Sequence, residues 1–344
     1  MTTRRHSLTL LAGALGASVL AACHGRVNRR ATQKGLLDIE HLDHGFTTLA
    51  RRAAPGRLNL AVLSLRGDHV WAADSDGRYP MADLAMLPIA AAALSEVDAG
   101  RLKLGEPITI REMDLSPPPS LVNRIFRGDM TVPAVDLIAL AVQHGDNTAA
   151  DVIMSRIGGP GAVGGWLQAK ELAGLRIDRY AREVVTEMLG MPSFRPQWRT
   201  QAAFDDARGL VAPAAREAAV QAYLGDPRDT ITAPAALGLV DKLVDGRLLS
   251  PASTRLLLGL MTRSTVPLPG LSAALPRGAT LARKSGNSLS DLGLTAVTND
   301  IGLATLADGN TIAIVAFLRG STATATERSR LIADAGRLVF DAFG

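Results

Sequence analysis

A single cysteine in 344 residues excludes a disulfide framework and any cysteine-rich zinc site. Aromatic residues are scarce, with three Trp, three Tyr and seven Phe. That argues against a stacking platform for sugars or single-stranded nucleic acid. Only five of the 37 basic residues are Lys. The arginines are scattered rather than gathered on a helix or stripe, so nucleic acid is not an expected partner. The formal charge of +4 falls to +2 once residues 1–22, which hold Arg4 and Arg5 and no acid, are set aside. Attraction to an anionic surface is correspondingly weak. No GxSxG, HExxH or P-loop occurs, and no metal or organic cofactor is implied. What the chain does have is apolar material: 47% hydrophobic against 20% charged residues. That suits one large domain, or two intertwined layers, with a sizeable core.

The first 22 residues read as a targeting segment. Thr3-Arg4-Arg5-His6-Ser7-Leu8 precedes an Ala/Leu/Gly run ending at Ala22, shorter than the ~20 residues of a membrane-spanning helix. The arginine pair resembles a twin-arginine signal, although an ordinary secretory signal also begins with positive charge. Leu20-Ala21-Ala22-Cys23 resembles a bacterial lipobox, in which the cysteine is lipidated after cleavage. The expectation is a signal peptide over 1–22, a tether over 23–34 and a folded domain over 35–344. The protein is then exported to the bacterial cell envelope and held at a membrane surface through Cys23, facing the periplasm.

Apolar residues at Leu36, Ile39, Leu42 and Leu49 predict a helix from Leu36 to Arg52, ended by Ala54-Pro55-Gly56. Leu58–Leu65 and Val70–Ala72 read as strands joined by a turn at Gly67-Asp68. Met81–Ala99 reads as a buried helix. Further helices are expected over 132–144, 147–157, 160–170, 234–244 and 251–263. Strand character returns over 279–285, 292–306 and 311–319, with a hairpin at Asp308-Gly309-Asn310, before a last helix over Arg328–Phe343. Strands at both ends and helices between predict an α/β (α+β) fold. Its antiparallel sheet is built from both chain ends with flanking helices, about 35–80 and 266–344. An all-helical part, about 81–265, is inserted.

The candidate chemistry is sparse. Asp83 stands at the start of a helix, where the dipole favours negative charge and where a plain N-cap would also stand. Gly145-Asp146-Asn147 separates two helical runs, as a loop and cap do. Lys284-Ser285-Gly286-Asn287 ends a strand with an ammonium, a hydroxyl and backbone N–H groups, a set able to hold a carboxylate. His41 and His44, beside Asp38 and Asp43, are better read as a solvated helix face than as metal ligands.

Taken in chain order these pieces resemble the class A serine β-lactamases. The similarity lies in Arg78-Tyr79-Pro80-Met81-Ala82-Asp83-Leu84-Ala85-Met86, and in Met130-Thr131-Val132 leading to Gly145-Asp146-Asn147-Thr148-Ala149-Ala150. It continues through Gly158-Gly159-Pro160, Gly225-Asp226-Pro227-Arg228-Asp229-Thr230, Leu249-Ser250-Pro251-Ala252-Ser253, Lys284-Ser285-Gly286 and Thr298-Asn299-Asp300-Ile301. It spans about residues 36 to 344 and implies the serine β-lactamase fold.

The same resemblance shows which groups are missing. The family carries Ser-x-x-Lys, Ser-Asp-Asn, Lys-Thr-Gly and a glutamate that activates water. Here Asp83 and Met86 stand at the Ser-x-x-Lys positions, and no other Ser-x-x-Lys exists in the chain. Gly145 replaces the serine of Ser-Asp-Asn. In the register set by Arg176-Ile177-Asp178-Arg179-Tyr180, Ala181 replaces the glutamate and Val185 an asparagine. Asp146 and Glu183 are the nearest substitute bases. The resemblance assigns ligand contacts to Asn147, Lys284, Ser285, Gly286 and backbone groups near Asn287. Residues 186–224 form a longer loop than the family carries, with Pro192, Pro196 and Trp198, and read as a remodelled lid or a partner surface. Three functions follow as expectations. The first is a catalytically degenerate homologue that binds a peptidoglycan- or β-lactam-like carboxylate without hydrolysis. The others are an active β-lactamase with atypical residues, and an envelope interaction module using 186–224.

Overall fold

The computed structural model describes residues 37–67, 69–265 and 268–343. The expected signal segment, Cys23 and tether lie outside them, as does Asp68. The chain opens with α1 (Ile39–Ala53), β1 (Arg57–Ser64), β2 (Val70–Ala72) and β3 (Tyr79–Pro80). A 3-10 turn, Ala82–Ala85, leads into α2 (Met86–Asp98), then β4 (Pro107–Ile110), α3 (Leu121–Ile125) and β5 (Met130–Pro133). Six helices follow: α4 (Ala134–His144), α5 (Asn147–Arg156), α6 (Gly159–Ala169), α7 (Ala181–Met188), α8 (Gln201–Gly209) and α9 (Pro213–Gly225). After β6 (Thr230–Ile231) come α10 (Ala233–Val244) and α11 (Pro251–Thr262). The chain ends with β7 (Thr280–Asn287), β8 (Ser290–Asp291), β9 (Leu294–Thr305), β10 (Thr311–Ser321) and α12 (Ala325–Asp341).

The main sheet runs β2-β1-β10-β9-β7, with β8 on β9. Every pairing in it is antiparallel. β1, near the chain start, lies beside β10, near its end, so the sheet draws on both ends as the strand pattern predicts. Alternation along β10 assigns its two faces. Ile312, Ile314, Ala316 and Leu318 join Leu42 and Leu49 of α1 and Leu331 and Val339 of α12 in one core. Ala313, Val315 and Phe317 face the opposite way, into a second core with α2, α4 and α10. That second core joins the sheet to the helical part, and both belong to one compact unit.

Several boundaries differ from expectation, among them three helix starts. The helix predicted from Met81 begins at Met86, behind the 3-10 turn. The helix predicted from residue 132 begins at Ala134, because residues 130–133 pair with 107–110 as a small ladder. The last helix starts earlier, at Ala325, where the Thr324 hydroxyl accepts the Glu327 N–H and Glu327 accepts the Thr324 N–H. That reciprocal cap is a strong local start signal.

Candidate functional site

The site forms where β7 lies against the 3-10 turn. A Cβ on Gly286 would stand 2.5 Å from the Met81 carbonyl oxygen and 2.6 Å from the Leu84 nitrogen. Only glycine permits that approach. Within the turn Ala82 takes φ 47°, an uncommon left-handed conformation for a residue with a Cβ. The Asn299 amide donates to the Pro80 carbonyl at 2.8 Å, fastening the entry to the turn onto β9. Asp83 is thereby held facing β7.

Three positions singled out in the sequence meet here. Gly145 ends α4 with φ 66°, and a Cβ on it would lie 3.4 Å from Asp83 Oδ2 and 4.0 Å from Lys284 Nζ. Burial pushes the Asp83 carboxyl up to about 6, against the pull of the Lys284 ammonium and the nearby Asn287 N–H. Burial likewise lowers the Lys284 ammonium, while the Asp83 and Asp300 carboxylates support its charge. Lys284 is buried and Asp83 half-buried, so neither is an ordinary surface ion.

A cavity of about 410 Å³ opens beside the pair. Asp83, Met86, Asn147, Ala181 and Asn287 line it. Lys284, Ser285, Gly286 and Gly145 are not among its lining residues; the Ser285 hydroxyl is buried with no hydrogen-bond partner among the described residues. Asn147 is already engaged, since its side-chain amide donates to the Pro117 carbonyl at 3.0 Å. Asp146 lies away from this cavity. Its carboxylate accepts from the Ser120 hydroxyl and from the Leu121, Val122 and Ala149 N–H groups. Glu183 is exposed and caps α7 through the Tyr180 N–H at 2.8 Å. Neither carboxylate is placed to act as a base in the cavity.

Of four further side chains at the cavity, three had no sequence signal of their own, while Arg179 stood in the Arg176-Ile177-Asp178-Arg179-Tyr180 segment. Asp151, fully buried, accepts from the Ser116 hydroxyl at 2.6 Å, the Ala181 N–H at 2.7 Å and the Arg182 N–H at 3.0 Å. Burial raises its pKa, opposed chiefly by Arg182. Arg179 is buried and donates to Asp229 at 2.6 Å, while Asp229 also accepts the Asp178 N–H at 2.7 Å. These bonds clamp the segment before α7. Arg328 of α12 is buried with neutral hydrogen-bond partners, the Thr298 hydroxyl and the Ala323 carbonyl. Desolvation lowers its pKa. The fourth, Tyr223 of α9, comes from the long inserted segment.

That segment is anchored on both sides. Met188, Leu189, Met191, Phe204, Val220 and Tyr223 share a core with Ala296 of β9. Arg216 and Arg208 both donate to the buried Asp291 of β8, at 2.6 and 3.3 Å. Residues 186–224 thus bridge α7 and the β8–β9 edge. Among the described residues, no cluster of three His, Cys, Asp or Glu side chains is placed to hold a metal.

An antiparallel sheet closed from both chain ends, a helical part between its strands and a site at their seam define the serine β-lactamase architecture. The chain belongs to the β-lactamase enzyme family, whose model matches residues 42–343. It is similar to β-lactamase VEB-1 of Pseudomonas aeruginosa, 24% identical over 294 residues that cover 84% of this chain and 86% of that one. The extended-spectrum β-lactamase PER-1 of the same organism is 25% identical over 268 residues, 76% of this chain and 75% of that protein. Among solved structures, a β-lactamase from Chitinophaga pinensis superposes with a TM-score of 0.72 at 25% identity, covering 88% of this chain and 99% of that one. An ancestral class A β-lactamase of Gram-negative bacteria gives 0.70 at 28% identity, with 88% and 99% coverage. The class A resemblance therefore holds for family and fold.

Proposed function

We propose that this β-lactamase-family chain binds a carboxylate ligand of peptidoglycan-stem or β-lactam type and does not hydrolyse it. The observation that carries the reading is Asp83, a carboxylate beside Lys284 where the resemblance requires a serine nucleophile. A carboxylate is a poor nucleophile toward an amide, and its charge opposes an oxyanion forming beside it. Met86 offers no base, Gly145 no proton relay and Ala181 no group to activate water. The engagement of Asp146 and Glu183 elsewhere supports the same reading. Lys284 supplies positive charge beside the cavity and Arg328 supplies it in the wall, which favours an anionic ligand end.

The proposal extends to location: cleavage after Ala22, acylation of Cys23 and a tether over 23–34 hold the domain at the envelope. No described helix is long and apolar enough to cross a membrane. Incorporation of a labelled fatty acid that Cys23→Ser abolishes supports this arrangement; equal labelling of both forms refutes it. Catalysis is tested with a chromogenic cephalosporin, alongside an Asp83→Ala sample that exposes contaminating enzyme. Binding without turnover is expected. Turnover that Asp83→Ala abolishes overturns the proposal.

A further inference from the structure

Three of the positions that depart from the class A pattern line one cavity, and all three carry apolar side chains. Met86, Ala181 and Val185 line the same cavity, joined by Ile89, Val184 and Met188. Where the resemblance puts a lysine, a glutamate and an asparagine, this chain has a thioether, a methyl and an isopropyl group. One part of a cavity that elsewhere carries Asp83, Asn147, Asp151 and Arg328 is therefore walled by hydrocarbon. Within that hollow the side chains offer water no polar partner, so an apolar group displaces it at a gain.

The inserted segment adds one polar atom to this chamber. Tyr223 is 5% exposed and lines the cavity; the Ala82 N–H approaches its oxygen, but its hydroxyl proton has no acceptor among the described residues. Burial and the neighbouring Asp229 and Asp83 charges hold the phenol in its protonated form. It is a donor without an acceptor, and buried polar groups in native proteins ordinarily have a partner. A ligand oxygen would supply one. The nearby carboxylates are poor alternatives: Asp151 and Asp229 are engaged by Arg182 and Arg179 and by backbone N–H groups, and Asp83 by the Lys284 charge and the Asn287 N–H.

We infer that the cavity takes an N-acylated amino acid whose aliphatic chain fills the hollow between Met86, Val185 and Met188, while its acyl carbonyl accepts the Tyr223 hydroxyl. The carboxylate end rests on the function proposed above, with Lys284 and Arg328 as its countercharges. The acyl chain is the new element, and it gives the inserted segment a role as cavity wall.

The test is calorimetric titration of the full chain carrying Cys23→Ser, which removes any covalently attached acyl group that would compete. The probes are N-acetyl-, N-butyryl-, N-octanoyl- and N-dodecanoylglycine, with a cephalosporin as reference ligand. Affinity should rise about fourfold per added methylene until the hollow is full. Val185→Asn should flatten that rise, and Tyr223→Phe should weaken the octanoyl compound about fivefold. Melting curves of both variants confirm that each is folded. Cephalosporin binding with no dependence on chain length overturns the acyl-chain inference and leaves the proposed function standing. Octanoyl binding that neither variant changes also overturns the inference. Failure of every probe and of the cephalosporin overturns both.

Discussion

The Asp151 carboxylate accepts the Ala181 backbone N–H at 2.7 Å, joining α5 to the first residue of α7. A buried carboxylate is thus devoted to holding a residue whose own side chain is only a methyl group. The Ser116 hydroxyl and the Arg182 N–H and guanidinium complete its shell. Replacing Asp151 by Ala leaves those donors unpaired and should destabilise the protein by about 3 kcal/mol. Asp151→Asn, which keeps one acceptor, should lose less. Denaturant titration of the three proteins checks this order.

Close packing at Gly286 yields a second expectation. An alanine Cβ would be driven into the Met81 carbonyl and the Leu84 nitrogen, both backbone atoms with little room to yield. Gly286→Ala should cost about 2 kcal/mol and displace the turn that carries Asp83. A lowered melting temperature, together with a changed carboxyl NMR shift for Asp83, is the expected pair of results.

The Asp83 carboxyl at about 6 predicts a pH dependence of binding. Below that value the group is neutral and no longer repels an anionic ligand. Affinity for a carboxylate ligand should therefore rise as pH falls from 7.5 to 5, and Asp83→Asn should remove this dependence. Stability follows the same sign. Because the folded value lies above the ordinary 3.8, the Asp83 contribution is whole below about 4 and is lost as pH rises through about 6. Calorimetric titrations at several pH values, with matching melts, measure both effects.

Restoring the nucleophile separates acylation from deacylation. Asp83→Ser combined with Met86→Lys supplies a serine and a base, while Ala181 still cannot activate water. Intact-mass spectrometry should then show a covalent β-lactam adduct that persists, with no sustained turnover in the cephalosporin assay. Rapid turnover by this double variant would show that another group activates water.

The anchoring of the inserted segment predicts its protection. Arg216→Ala removes the shorter of the two ion pairs to Asp291, and should speed proteolytic cleavage within 186–224 several-fold. Limited proteolysis against the parent protein is the measurement.

Much of the scaffold is readable from residue order alone. The unbroken apolar run from Ile312 to Leu318 marks a strand buried on both faces, and Asp308-Gly309-Asn310 marks the hairpin before it. These signals are legible because they rest on short-range periodicity and local turn chemistry. The start of α2 at Met86 was not legible. It depends on contact between the 3-10 turn and β7, some two hundred residues later in the chain.

For the site, the sequence by itself determined which groups are present: Asp83, Met86, Gly145 and Ala181 at the motif positions, and Lys284 with Ser285 on a strand end. Only the tertiary structure decided how they meet. It brought Asp83 and Lys284 together under Gly145, engaged Asp146 in four hydrogen bonds, and added Asp151, Arg328 and Tyr223, whose positions carry no local pattern. The physical reason is that pKa shifts and unpaired donors arise from burial and from neighbours distant along the chain. A residue's type states its chemistry, and only its surroundings decide whether that chemistry is free to act.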